Sequence, residues 1–141
     1  MPRPLAKAVT RLFQRGPHQP WIPLPLQRGI QDAAARITRI PAGVTVSEGE
    51  LGGIPSDRIA PEGADESRGI LFLHGGAYVG GSRRTHRGIA AQVAIAGGAP
   101  VHLPDYRLAP EHPHPAATED ALAAYRALLD SGIEPESILI A

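Results

Sequence analysis

Cysteine is absent from the 141 residues, which excludes disulfides, thiolate metal ligands and a cysteine nucleophile while leaving the compartment open. Long apolar runs are missing too. The longest span only a few residues, far short of the roughly 20 that a membrane-crossing helix needs. Net charge is zero but unevenly placed: residues 1 to 46 hold seven Arg or Lys against the single acid Asp32, and residues 47 to 141 hold seven against thirteen. The basic start carries no serine before Ser47 and lacks the apolar core of a secretory signal. It therefore reads as a solvated basic face rather than a targeting or membrane-surface segment. At 43% hydrophobic and 20% charged the composition is that of a soluble globular protein, and a cytoplasmic location is expected. There is no internal repeat and no low-complexity tract.

What is present centres on Ile70-Leu71-Phe72-Leu73-His74-Gly75-Gly76-Ala77-Tyr78-Val79-Gly80-Gly81-Ser82. Four consecutive large apolar residues break abruptly into glycines, which predicts a buried, parallel-type strand running into a tight loop. Glycines at 75 and 76 leave backbone N–H groups that no Cβ covers, so a substrate atom can approach them. Two such donors in a dry pocket can hold an oxygen that becomes negative during a reaction. Ser82 stands where a helix N-cap would, before a helix over 83 to 96 that Gly97-Gly98 closes.

The run His-Gly-Gly-Ala-Tyr-Val-Gly-Gly-Ser at 74 to 82 is followed at 105 to 115 by Asp-Tyr-Arg-Leu-Ala-Pro-Glu-His-Pro-His-Pro. Together, over about Val44 to Ala141, these blocks resemble the hormone-sensitive-lipase-like branch of the α/β-hydrolases, which contains carboxylesterases and some lactone hydrolases. The resemblance implies the N-terminal half of an α/β-hydrolase sheet, an edge hairpin plus parallel βαβαβ, preceded by helical cap segments. It divides the chain into cap helices and a Pro-rich connector at 1–43 and the first part of the catalytic domain at 44–141. Gly75 and Gly76 would supply the oxyanion hole, with Ala77, in place of the motif's third glycine, narrowing a pocket that Tyr78 also lines. His74, Asp105, Tyr106, Arg107 and Glu111 would be structural, His74 holding the glycine loop and Arg107 with Glu111 holding the turn into the next helix. The implied partner is a small ester or lactone, with no cofactor, no metal, no nucleic acid and no membrane span.

Taken in order, Leu5, Ala8, Val9, Leu12 and Phe13 fall at helical spacing over residues 1 to 16. Pro17 to Pro25, with four prolines, predicts an extended connector in which Trp21, like Phe13, serves packing. A short helix over about Ile30 to Ile40 follows. Val44 to Glu48 and Ile54 to Ala60 form an antiparallel hairpin about a turn at Gly49 to Gly53. Strand 70 to 74, helix 83 to 96, strand Val101 to Leu103, helix Pro115 to Asp130 and strand Ser137 to Ala141 then alternate as βαβ units do. Ala121, Leu122, Tyr125, Leu128 and Leu129 are the expected buried stripe of the second of those helices.

A hydrolase of this class needs a nucleophile, a base and an orienting acid besides its oxyanion donors. The family's serine sits on a Gly-x-Ser-x-Gly elbow after the fifth strand, with acid and histidine later. None of Ser47, Ser56, Ser67, Ser82, Ser131 or Ser137 lies in such a frame, so the expectation is a chain that stops before its elbow and is inactive alone. Three alternatives are weaker. Ser82 could act with His86 and Asp105, but its place suits a cap. Glu111, His112 and His114 could suggest zinc, but Pro113 and Pro115 impose an extended path on a lone i, i+2 pair. The glycine loop could cradle phosphate at a helix N-terminus, but the P-loop Lys and the G-x-G-x-x-G pattern are absent. His102 reads as a hydrogen-bonded strand residue.

Overall fold

The computed structural model describes residues 22–141, so the expected helix over 1 to 16, with Phe13 and Trp21, lies outside the described residues. The elements run α1 (Leu24–Ala35), β1 (Val44–Leu51), β2 (Ile54–Pro61), β3 (Gly69–Leu71), α2 (Arg83–Gly97), β4 (Val101–Pro104), α3 (Ala116–Asp130) and β5 (Ile138–Ile140), with a 3-10 turn at Pro135–Ser137. Helix α1 replaces the expected helix over 30 to 40. Pro23 is its N-cap and Pro25 lies in its first turn, where a missing N–H and a fixed φ favour helix entry. Among the described residues no helix is long and apolar enough to cross a membrane.

The strands form one sheet in the order β1-β2-β4-β3-β5. β1 pairs with β2 and β2 with β4 antiparallel, while β3 lies parallel to both β4 and β5. This is the edge hairpin and parallel βαβαβ arrangement expected from the sequence. Gly49 to Leu51, expected in the turn, extend β1 instead: the register closes at Leu51 opposite Ile54. Only Gly52 and Gly53 turn, with φ of +63° and +80°, the doubly left-handed pair of a tight hairpin. A Cβ on Gly52 would lie 2.5 Å from the Ala123 carbonyl oxygen of α3.

Alternation in β3 divides the core between two faces. Ile70 joins Ile59, Val101 and Leu103 against Ala90, Ala91 and Ala94 of α2. Leu71 points the other way, to Ala124 and Leu128 of α3. Alanines on α2 bring that helix close to the sheet, and at Gly97 a Cβ would stand 2.7 Å from Ile70 Cδ1. Fully burying a side chain such as Leu71 or Leu128 contributes about 1.5–3 kcal/mol, so each face is anchored by a few large residues. The inward column of α3 is Ala116, Asp120, Ala124 and Leu128; Leu122, expected in the stripe, is exposed.

β3 is shorter than the apolar run, yet the ladder continues past it. Phe72 N–H donates to His102 O (2.9 Å) and Leu73 N–H to Ala141 O (2.8 Å). The chain thus arrives at His74 from inside the sheet and leaves it at the glycines.

Candidate active site

From Gly75 to Gly81 the backbone folds back on itself. Val79 and Gly80 N–H both donate to Gly76 O at 3.0 Å. Gly76 has φ +133° and Gly81 +80°, and a Cβ on either would meet a backbone oxygen, Gly80 O at 2.0 Å or Gly75 O at 2.2 Å. Glycine is required at both. Between them Ala77 and Tyr78 take φ of +53° and +63°, a conformation that costs side-chain-bearing residues about 1–3 kcal/mol each and persists only where the surroundings enforce it.

His74, at 3% exposure, lies against the Tyr106 ring (centroids 4.2 Å apart) on one side and the His86 ring (5.3 Å) on the other. Its Nδ1 lies 3.0 Å from Gly75 O, an acceptor, so Nδ1 carries the proton. Tyr106 hydroxyl donates to His74 O. Burial pushes the His74 imidazole below its usual range against the opposing pull of the Gly75 carbonyl, and burial likewise raises the Tyr106 phenol. His74 Nε2 and Arg83 Nε are buried without a hydrogen-bond partner. Both approach Asp105, at 3.9 and 3.7 Å.

Helix α2 begins at a dense polar cap. Ser82 Oγ accepts from Thr85 N–H (3.2 Å), Thr85 Oγ1 accepts from Ser82 N–H (2.9 Å), and Ser82 Oγ donates to Asp32 of α1 (2.5 Å). Asp105, just past β4, accepts from Arg83 N–H at 3.0 Å. His86 Nδ1 faces the Ser82 carbonyl and the Thr85 hydroxyl, not Ser82 Oγ. The Ser82–His86–Asp105 alternative therefore lacks the geometry of a triad. An anion at this helix end would have to displace a carboxylate already there. Asp57 of β2, fully buried, receives Arg83 Nη1 (2.6 Å) and Arg87 Nη2 (2.9 Å). Arg87 also reaches Glu48, whose carboxyl it holds below the usual range.

The structural residues of the second block separate. Arg107 and Glu111 take different partners: the Arg107 amide and guanidinium grip Asp120 near the start of α3, at 2.8 and 2.7 Å. Burial would raise the Asp120 carboxyl, but those bonds outweigh it and hold the group down. Glu111 is taken by Arg28 of α1, both carboxylate oxygens lying 3.0 Å from Nη1. Its own backbone amide, then Arg28, lower the Glu111 carboxyl. Arg28 also donates from Nε to Val79 O (2.9 Å) and from Nη2 to Ala109 O (2.6 Å). Sequence reasoning missed Arg28 and Asp32. No local pattern marks them, because their partners lie 50 to 83 residues away.

A hollow of about 410 Å³ opens beside the loop, bordered by Gly75, Gly76, Ala77 and Tyr78 on one side and by Ala117 and Thr118 of α3 on the other. That is within the size of small-molecule sites. Gly75, Gly76, Ala77, Tyr78, His74 and Tyr106 are thus brought together, whereas Asp105 faces the cap, and Arg107 and Glu111 brace neighbouring elements. Among the described residues none accepts a hydrogen bond from the Gly75 or Gly76 amide. His112 and His114 line a separate hollow with Tyr78, and the described residues hold no group of three or more His, Asp or Glu able to bind a metal. His102, in β4, is pushed down to about 4 by burial, then by Arg58.

A family profile described as alpha/beta hydrolase fold matches residues 70–141, about half of the chain. An acetyl-hydrolase of Streptomyces hygroscopicus is 40% identical over 72% of the chain and 33% of its own length. An esterase of Acinetobacter venetianus is 34% identical over 80% of the chain and 37% of its own length. The crystal structure of an esterase from the bacterial hormone-sensitive lipase family superposes with a TM-score of 0.88 at 34% identity, covering 99% of this chain and 47% of that one. The chain thus spans between a third and a half of the length of these relatives.

Proposed function

The chain belongs to the α/β-hydrolase fold family, with the hormone-sensitive-lipase-like esterases as its relatives, and on that premise we propose that it is the oxyanion-bearing part of a serine hydrolase of small carboxylic esters. One observation carries the reading: the Gly75 and Gly76 amides stand at the end of a buried strand, beside a 410 Å³ hollow, with no acceptor among the described residues. An ester carbonyl in that hollow would take both N–H groups as its oxygen gains charge. Losing one such donor typically lowers turnover about 100-fold or more. Ala77 and Tyr78 would shape the acyl side of the pocket, and residues 22–43 would act as part of the cap over it.

Residues 1–141 do not hydrolyse esters alone on this reading, because no serine stands in an elbow frame and Ser82 is spent on its cap. On this reading the nucleophile, acid and histidine lie outside residues 1–141. A fluorophosphonate probe tests this by intact mass. No adduct on the 141-residue protein, with labelling in a longer chain that carries the elbow, is expected; an adduct on any of the six serines would sink the reading.

A further inference from the structure

The hollow beside Gly75 and Gly76 has a neighbour. Tyr78, Ala117 and Thr118 border it, and the same three residues border a second hollow of about 360 Å³ that continues to Ala109, His112 and His114. Tyr78 therefore stands between the two. Its side chain is not locked by a core, since the residue is 64% exposed. Its backbone is left-handed, as is that of Ala77. The restraint comes from outside the loop: Ala109 N–H donates to Tyr78 O at 2.8 Å, and Arg28 holds the next carbonyl, Val79 O. The other arm of the same guanidinium holds Ala109 O and Glu111. One planar fork thus ties the loop carrying Tyr78 to the loop that bounds the second hollow, a span that a single ammonium point charge cannot reproduce.

We propose that Arg28 is a positioning residue for substrate selection: by clasping these two loops it keeps the Tyr78 ring as the wall between the hollows, so that short acyl chains fit and longer ones are excluded. Helix α1 sets that limit. The proposal rests on the reading of the 410 Å³ hollow as the ester site, and its test keeps the two apart.

The 141-residue protein is titrated with 2-butanone and 2-octanone, ketones that accept hydrogen bonds and cannot be hydrolysed, while the Gly75 and Gly76 amide resonances are followed. Arg28→Met and Tyr78→Ala should each bind 2-octanone about tenfold tighter, the gain from burying roughly two more methylenes. Binding of 2-butanone should stay within about twofold in Arg28→Met. Arg28→Lys should follow Arg28→Met, and Arg39→Met, an exposed cation just past α1, should match the parent. Hydrogen exchange at Val79, Gly80 and Ala109 should quicken about tenfold in the two Arg28 variants and stay at the parent rate in Tyr78→Ala and Arg39→Met. The ratio of the two affinities is unmoved by a change in folded fraction, so a merely destabilised variant would leave it alone. Should Arg28→Met not fold, Arg28→Lys carries the same ratio. Parent binding with an unchanged ratio in the Arg28 variants overturns the proposal and spares the ester site. Ketones that leave Gly75 and Gly76 unmoved in every variant overturn both.

Discussion

Among the described residues two turns use left-handed backbone at consecutive positions, and they fill it differently. The hairpin uses Gly52 and Gly53, for which the conformation is nearly free. The loop after β3 uses Ala77 and Tyr78, for which it is not. The hairpin's shape follows from its own two residues. The loop's shape is imposed by flanking glycines, by Ala109 and by Arg28. Strain kept in place by distant partners, beside a hollow, marks where the fold yields local stability for a particular arrangement of groups.

The contrast can be broken at several points. Gly76→Ala should be the most damaging change, because its Cβ would meet Gly80 O at 2.0 Å with nowhere to move. A loss of about 4 kcal/mol in urea unfolding is expected, and a loss below about 1 kcal/mol would show that the loop is free to remodel.

Acid acts next, and on the hairpin side of the sheet. His102, opposite Arg58 of β2, titrates near 4 when folded against 6.5 ordinarily. The unfolded chain therefore takes up the proton first, and stability falls as pH drops from about 6.5 towards 4, by up to roughly 3 kcal/mol. His102→Gln should flatten the unfolding free energy over that window; an unaltered slope would assign the acid sensitivity elsewhere.

Within the hairpin the two glycines should part company. Gly52→Ala sets a Cβ 2.5 Å from Ala123 O, while Gly53→Ala meets nothing within 4 Å. Losses of about 2 and about 1 kcal/mol are expected, the second being the left-handed penalty alone. Equal losses would mean that contact with α3 does not matter. The smallest effect should come from Ala77→Gly, where relief of the left-handed penalty and the added freedom of the unfolded chain nearly cancel, leaving a change within about 0.5 kcal/mol. A large loss there would mean that the Ala77 methyl is itself a packing group.

Much of this was legible in the residues. The apolar run and the glycines after it specify the strand and loop, Ser82 the start of α2, and Gly97-Gly98 its end, because each signal is local. Prolines misled at α1: Pro23 and Pro25 read as breakers, whereas at a helix entry they are compatible with the first turn. Gly49 misled in β1 because a strand at the sheet edge tolerates it. Asp120 could not be read as a buried residue of α3 without Arg107, which lies 13 positions earlier and gives it partners. Arg28 was illegible for the same reason at longer range. A guanidinium announces nothing until three carbonyl or carboxylate partners from two other loops are in place.

The two stacked rings behind the loop have a further consequence. A trans peptide is a rigid plate whose carbonyl and N–H point in opposite directions. Tyr106 hydroxyl secures the His74 carbonyl and His74 Nδ1 the Gly75 carbonyl, and these belong to the plates that carry the Gly75 and Gly76 amides. Both plates are therefore fastened from their backs, by groups that an atom approaching the amides would not have to displace. The direction of the two donors is set when the chain folds, and on the proposed reading nothing would need to reorient for a negative oxygen.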